Sequence, residues 1–226
     1  MPTVGPAAMS LSIAKMRLLC RGPRWKHHGS MSRELSGCVI VSGMPAAGKS
    51  TVTALAARLL PRAAQVKGDA VNQMILGGRV WFMGKPRDEA RHQDELCNRN
   101  MCSLANNFID FGFTVLMDTV VADRAELDFL LALLSPRPVR LVTLAPGVEV
   151  CQHRNATRNP EERFEFDGYR QLEADMKRDL GEVGWWFDTS ALTPTQTAQQ
   201  LVREVAARAV PVQGGWHTRL ERLHDE

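Results

Sequence analysis

Residues 43–50 read Gly43-Met44-Pro45-Ala46-Ala47-Gly48-Lys49-Ser50, and Thr51 follows. Two glycines, a lysine and a hydroxyl at this spacing suit a polyphosphate. The glycines let the backbone turn and aim its N–H groups at phosphate oxygens. A helix opening at this point directs its positive end at the same anion. Lys49 then reaches the β- and γ-phosphates, and Ser50 places its hydroxyl on Mg²⁺. The context agrees. Cys38-Val39-Ile40-Val41-Ser42 before the motif is a short apolar run of strand length, and Ser50 to Leu60 after it is helix-like and ends before Pro61. The whole stretch Gly43, Met44, Pro45, Ala46, Ala47, Gly48, Lys49, Ser50 and Thr51 is therefore the candidate nucleotide cradle.

Two aspartates are expected to end strands. Asp69 comes after Ala64-Gln65-Val66-Lys67-Gly68, and Asp118 after Thr114-Val115-Leu116-Met117. Ligands of open parallel sheets bind beyond the carboxyl ends of the strands, where such carboxylates stand. Phosphoryl transfer to a hydroxyl uses one carboxylate as base at the acceptor and another in the Mg²⁺ shell. We expect Asp69 as base and Asp118, with Ser50, at the metal; the spacing also permits the reverse, or both carboxylates facing the acceptor. A third element is basic: Arg154-Asn155-Ala156-Thr157-Arg158-Asn159-Pro160-Glu161-Glu162-Arg163. Arg154 and Arg158 are four apart, the spacing of one helix face. Arginines on a closing arm bind the transferring phosphoryl group bidentately and stabilise its charge.

The elements that must carry these residues alternate along the chain. After the first strand and helix come a weaker strand over 64–67, a helix over 88–109, and a strand over 114–117. Asp123 and Glu126, at capping-box spacing, open a Leu-rich helix that stops near Ser135-Pro136. A strand over 139–144, helices over 148–157 and 169–180, a strand Trp185-Trp186-Phe187, and a helix from Thr193-Pro194 to about Ala209 complete the pattern. Strand–helix alternation implies an α/β fold with a parallel sheet covered on both faces. Trp185 and Trp186 read as sheet and core residues.

Composition agrees with one globular domain: 226 residues, 44% apolar and 23% charged. No apolar run is long enough to span a bilayer. The net charge of +3 comes from the start of the chain, where Lys15, Arg17, Arg21, Arg24 and Lys26 occur without an acid; residues 31–226 sum to −2. A mildly acidic body is no electrostatic footprint for nucleic acid. Residues 1–33 read as a basic tail or a targeting segment outside the fold, 34–212 as the domain, and 213–226 as a C-terminal tail. Cysteines 20, 38, 97, 102 and 151 form no C-x-x-C pair. Cys97 and Cys102, five apart, do not share a helix face cleanly, so reduced thiols in a cytoplasmic protein are expected.

Gly43–Thr51, Lys67-Gly68-Asp69-Ala70-Val71, Val115–Asp118 and Arg154–Arg163, in this order, resemble small P-loop kinases of the adenylate and shikimate kinase type. Within that group the chain is most similar to the chloramphenicol phosphotransferase-like family, over about residues 37–210. The resemblance implies a P-loop NTPase fold with a five-stranded parallel sheet, an arginine-bearing lid, and ATP with Mg²⁺ as phosphoryl donor. It also implies that Asp69 activates the acceptor hydroxyl, that Gly43, Gly48, Lys49 and Ser50 hold the phosphates, and that Arg154 and Arg158 are lid arginines. Asp188-Thr189-Ser190 with Thr193-Pro194 resembles the loop flanking adenine.

Residues 70–100 should shape the acceptor pocket because they follow Asp69. They include Asn72, Arg79, Trp81, Phe82, Met83, Lys85 and His92, and the apolar run Val80-Trp81-Phe82-Met83 suits a drug-like or aromatic acceptor. The first reading is thus a kinase for a hydroxyl on a small molecule, such as an antibiotic or related metabolite. Asp118-Thr119 and Arg154-Asn155-x-x-Arg158 also resemble 5′-hydroxyl polynucleotide kinases, the second reading. A nucleotide-binding regulator without transfer is the third; intact Lys49, Ser50, Asp69 and Asp118 argue against it.

Overall fold

Five short strands are built from the apolar runs: β1 (Cys38–Ser42), β2 (Ala63–Lys67), β3 (Thr114–Asp118), β4 (Val139–Leu144) and β5 (Trp185–Phe187). The computed structural model describes residues 35–212 other than Met83; the basic N-terminal stretch with Cys20, and residues 213–226, lie outside the described residues. All strands are parallel, in the order β2-β3-β1-β4-β5. β1 is central, and the chain passes from β3 across it to β4. That reversal places a crevice at the carboxyl end of β1.

Among the described residues seven α-helices accompany them: α1 (Lys49–Leu59), α2 (Gly68–Asn72), α3 (Arg87–Asp110), α4 (Arg124–Leu134), α5 (Val148–Ala156), α6 (Tyr169–Leu180) and α7 (Pro194–Arg208). A 3₁₀ turn at Pro160–Glu162 lies between α5 and α6. The period of two in the strands sorts the core into two layers. Val39, Val41, Leu116, Val142 and Leu144 face α1, α7 and α6, burying Val52, Ala56, Leu201, Val205, Tyr169 and Met176. Cys38, Ile40, Val115, Met117 and Leu141 face α3 and α4, burying Met101, Ala105, Leu127, Leu130 and Leu134. Each fully buried leucine contributes roughly 1.5–3 kcal/mol. Cys97 and Cys102 are both buried in this second layer despite their angular separation.

Helix ends follow the sequence signals. Thr193 caps α7 with a complete capping box to Gln196. Asp123 caps α4 by accepting from Glu126 N at 2.8 Å, but the Glu126 carboxylate reaches one residue further back than expected, to Ala122 N at 2.9 Å. β2 is one of the two edge strands, with Val66 its one buried residue, which explains its weak apolar pattern. No helix among the described residues is long and apolar enough to cross a membrane.

Candidate active site

The glycine-rich turn leaves β1 at the centre of the sheet edge. Gly43 has φ +140°, and a Cβ there would sit 2.6 Å from Leu144 O, so no side chain fits. Gly48 (φ +100°) turns the chain into α1. Between them Ala46 holds φ 63°, a left-handed conformation costly for a residue with a side chain. Such strain persists where surrounding structure enforces it, typically in ligand-binding turns.

Lys49 extends its ammonium back over the turn, donating to Gly43 O at 2.8 Å and Met44 O at 3.0 Å. Burial pulls its pKa down, and the nearby Asp118 and Asp69 carboxylates oppose that. Ser50 is fixed from below. Gln65 on β2 donates to Ser50 O at 2.9 Å and to Thr53 Oγ1 at 2.7 Å, while Thr53 Oγ1 donates to Lys49 O at 2.8 Å. Sequence alone does not single out Gln65; a polar residue between the apolar Ala64 and Val66 of an edge strand is the signal it offers.

Asp118 ends β3 as expected, opposite Val41 of β1 and Lys67 of β2. It is 4% exposed, and its Oδ2 has no hydrogen-bond partner. Burial raises its pKa; Lys49 and the nearby Ser50 hydroxyl act the other way. An orphaned buried carboxylate oxygen beside a serine hydroxyl is a donor set that fits Mg²⁺. No group of three or more His, Cys, Asp or Glu among the described residues could hold a metal. Phosphate oxygens or water would have to complete the shell. The loop after Asp118 is pinned to β1, since Val121 N donates to the buried Ser42 Oγ at 2.9 Å.

Asp69 corrects one expectation. It does not end a strand: β2 stops at Lys67, and Asp69 lies in the first turn of the short helix α2, exposed. Gly68 permits this turn by passing close to Asp118. A Cβ on it would stand 3.1 Å from Asp118 O and 3.3 Å from Met101 Sδ. Asp69 is nonetheless brought within electrostatic reach of both Lys49 and Asp118.

The arginine arm divides. Arg154 on α5 donates from Nη1 to Ala47 O at 3.0 Å, directly onto the turn. Arg158 does not share its helix face. α5 ends at Ala156, Thr157 folds its hydroxyl back to His153 O and Arg154 O, and Pro160 forbids continuation. Arg158 instead stacks its guanidinium 5.5 Å from the Phe164 ring, yet still lies close enough to depress Lys49. Arg163 donates to Arg158 O at 2.8 Å, holding the arm's backbone. Asn155 pins the returning segment through Phe164 O at 2.8 Å.

Residues expected around the acceptor are partly open. Trp81 and Phe82 are 47% and 50% exposed and meet edge to face at 4.8 Å; Met74 and Leu76 are also exposed. They do not cover the core. A cavity of about 370 Å³ lies among Gln73, Ile75, Leu76, Gly78 and Arg79. Met83 lies outside the described residues. At the expected adenine flank, Asp188 accepts from Ser190 N at 2.9 Å in a tight turn, and the buried Thr189 Oγ1 has no partner. Trp185 is buried and stacked on Phe187, as a core residue. Cys38, Cys97, Cys102 and Cys151 are free and buried, and burial holds the Cys97 and Cys151 thiols at about 11, so neither is a nucleophile near neutral pH.

The family model described as the AAA domain matches residues 38–182. No curated protein matches the chain. Among solved structures, the tunicamycin resistance protein of Deinococcus radiodurans is similar at 17% identity and TM-score 0.56, covering 78% of this chain and 99% of that one. Shikimate kinase from Acinetobacter baumannii, in complex with shikimate, is similar at 18% identity and TM-score 0.54, covering 77% and 97%. A sugar kinase from Janibacter sp. HTCC2649 is similar at 17% identity and TM-score 0.54, covering 76% and 96%. Likeness at these identities shows a common fold. Because the matched span is more than half of the chain and holds the phosphate loop, the chain belongs to the AAA domain family.

Proposed function

We propose that the protein transfers the γ-phosphate of ATP to a hydroxyl of a small molecule, an antibiotic or related metabolite being the class that fits its open aromatic surface. The observation that carries this reading is the meeting of Lys49, Asp118 and Asp69 at the mouth of the glycine-rich turn. A nucleotide regulator needs the lysine but has no use for an exposed carboxylate beside it.

The residues divide the work. Backbone N–H groups of Gly43–Thr51 and the start of α1 bind the phosphates, and Lys49 adds positive charge. Ser50 and Asp118 would hold Mg²⁺, whose charge neutralises the β- and γ-oxygens when it is bound. Asp69 takes the proton of the acceptor hydroxyl. The acceptor oxygen bonds to the γ-phosphorus, the bond from that phosphorus to the β–γ bridging oxygen breaks, and ADP leaves. Arg154 and Arg158 stabilise the charge spread over the transferring group. Trp81 and Phe82 supply apolar area for the acceptor.

The test is transfer of label from γ-labelled Mg²⁺-ATP to a panel of hydroxyl-bearing antibiotics and nucleosides, with 5′-hydroxyl oligonucleotides alongside. Label on a small molecule is expected. In Asp69→Asn, turnover should fall about 10²–10⁴-fold, the usual weight of a general base, while ATP affinity stays within about twofold. Unchanged turnover would remove Asp69 from the mechanism. Label on the oligonucleotides alone would move the protein to nucleic-acid end processing.

A further inference from the structure

We propose that Gln93 is the positioning residue of the acceptor side, holding residues 78–80 at a fixed distance from Asp69. This rests on the phosphotransferase reading above. Gln93 lies on α3, 8% exposed. Its carboxamide takes both backbone valences of the passing segment. Oε1 accepts from Val80 N at 2.8 Å, and Nε2 donates to Gly78 O at 2.8 Å. The second Nε2 hydrogen goes to Glu89 Oε1 at 2.7 Å. The side chain thus substitutes for a neighbouring strand that the segment lacks.

Residues 73–82 have few other anchors. Among the described residues their remaining hydrogen bonds run to chain neighbours within four positions: Gln73 N to Asp69 O, Met74 N to Val71 O, Ile75 N to Asn72 O, and Trp81 O from Gly84 N. Those bonds curl the segment without placing it. Gln93 places it against a 24-residue helix.

The same helix also fixes the catalytic end. Cys97, one turn beyond Gln93, donates from Sγ to Gly68 O at 3.5 Å, and Met101, one turn further, packs 3.3 Å from where a Gly68 Cβ would stand. Gln93, Cys97 and Met101 at i, i+4 and i+8 form one face. At 1.5 Å per residue, a step of four residues is about 6 Å. One turn of α3 therefore separates the anchor of Val80, next to Trp81, from the anchor of Gly68, next to Asp69. The aromatic pair and the base are set on one rigid ruler, and Gln93 is the mark at the aromatic end. Releasing it loosens the acceptor contacts while the turn that binds nucleotide, held by Gln65, Thr53 and Arg154, is untouched.

The experiment uses the full chain. Gln93→Met keeps the volume and removes both backbone bonds. Exchange of the Val80 amide should accelerate at least tenfold in this variant, measured by hydrogen exchange. For the hydroxyl compound labelled by the wild type, KM should rise about tenfold while kcat and the KM for ATP change less than about twofold. Gln93→Glu gives a pH signature. The protonated acid can donate to Gly78 O and accept from Val80 N, whereas the carboxylate would face Gly78 O and Glu89. Val80 protection, corrected for the intrinsic exchange rate, should be near wild type at pH 5 and lost at pH 8. Unchanged Val80 protection in Gln93→Met overturns the clamp, whichever acceptors are found. Lost protection with unchanged acceptor KM, or an equal fall in ATP affinity, overturns the positioning role. Lost protection in a protein whose wild type labels no acceptor overturns the phosphotransferase reading and leaves the clamp standing.

Discussion

The turn after β1 and the segment after α2 both leave the carboxyl edge of the sheet, yet they are held by different means. The turn is enclosed. Ser42 beneath it is fully buried, Leu144 O closes on Gly43, and Arg154 bonds Ala47 from a third element. Its lysine is held on two of its own carbonyls. The acceptor segment is open, with Leu76 at 95% exposure and its aromatic pair half in solvent, and among the described residues its backbone is tied to the fold through one side chain. The difference matches the two ligands. Polyphosphate recognition demands many fixed N–H groups and tolerates no movement. An acceptor site needs shape and apolar area, which a loosely anchored segment can vary between related proteins without disturbing the donor side.

The sharpest break of that contrast is a methyl group added to each region. Gly43→Ala places a Cβ 2.6 Å from the Leu144 carbonyl, at a φ that side chains rarely adopt. ATP affinity should fall at least about a hundredfold by titration calorimetry, since every phosphate-facing N–H must move. A loss of 1.4 kcal/mol is already tenfold. Gly77→Ala meets nothing within 4 Å and should change ATP affinity less than about twofold. Equal effects at the two glycines would erase the proposed division.

A smaller effect sharpens the acceptor half. Trp81→Ala removes an exposed ring whose deletion should change stability by no more than about 0.5 kcal/mol in a denaturant titration, as for surface positions generally. The ring's own contact is the edge of Phe82. Its loss should nonetheless raise KM for an aromatic acceptor about tenfold, the scale of one aromatic contact, with the KM for ATP unmoved. If stability falls by several kcal/mol instead, the ring is structural and the acceptor reading of this patch fails.

Much of the donor half was legible in the sequence because each of its parts is local. A strand, a glycine turn and a helix follow one another within about twenty residues, and Asp118 directly ends its strand. What was not legible depends on contacts between distant residues or on one backbone angle. Asp69 sits on a helix because Gly68 slips beneath Asp118, fifty positions away. Arg158 leaves the face of Arg154 because Thr157 and Pro160 end α5 two residues before it. The left-handed Ala46 carries no signal, alanine being an ordinary helix residue. Gln93 looked like any polar residue on a charged helix; only the folded chain shows it taking both valences of a loop. The apolar run that starts at Val80 is visible in the sequence, and the structure decides that Trp81 and Phe82 in it are exposed.

The last prediction concerns the seam between the halves. Glu126, at the start of α4, accepts from Ala122 N in the loop that follows Asp118. Burial pushes its carboxyl up to about 7, and Asp94 and Asp123 nearby add to this, while the Ala122 N–H and Asn98 oppose it. From α3, Asp94 is itself raised by burial. A carboxyl with a folded pKa above its unfolded one favours the folded state fully below the unfolded value, near 4.5. That contribution is lost as pH rises through about 7, because the folded protein then holds a charge it solvates poorly. Stability contributed by this site should therefore decline between about pH 4.5 and 7. At about 1.4 kcal/mol per tenfold change in acidity, the decline is at most about 3 kcal/mol, or several degrees in Tm. Glu126→Gln keeps an acceptor for Ala122 N and never ionises, so its Tm should gain on the wild type across this window and match it near pH 4.5. A constant difference between the two proteins at every pH would mean that Glu126 is solvated in the folded state and that the seam carries no buried charge.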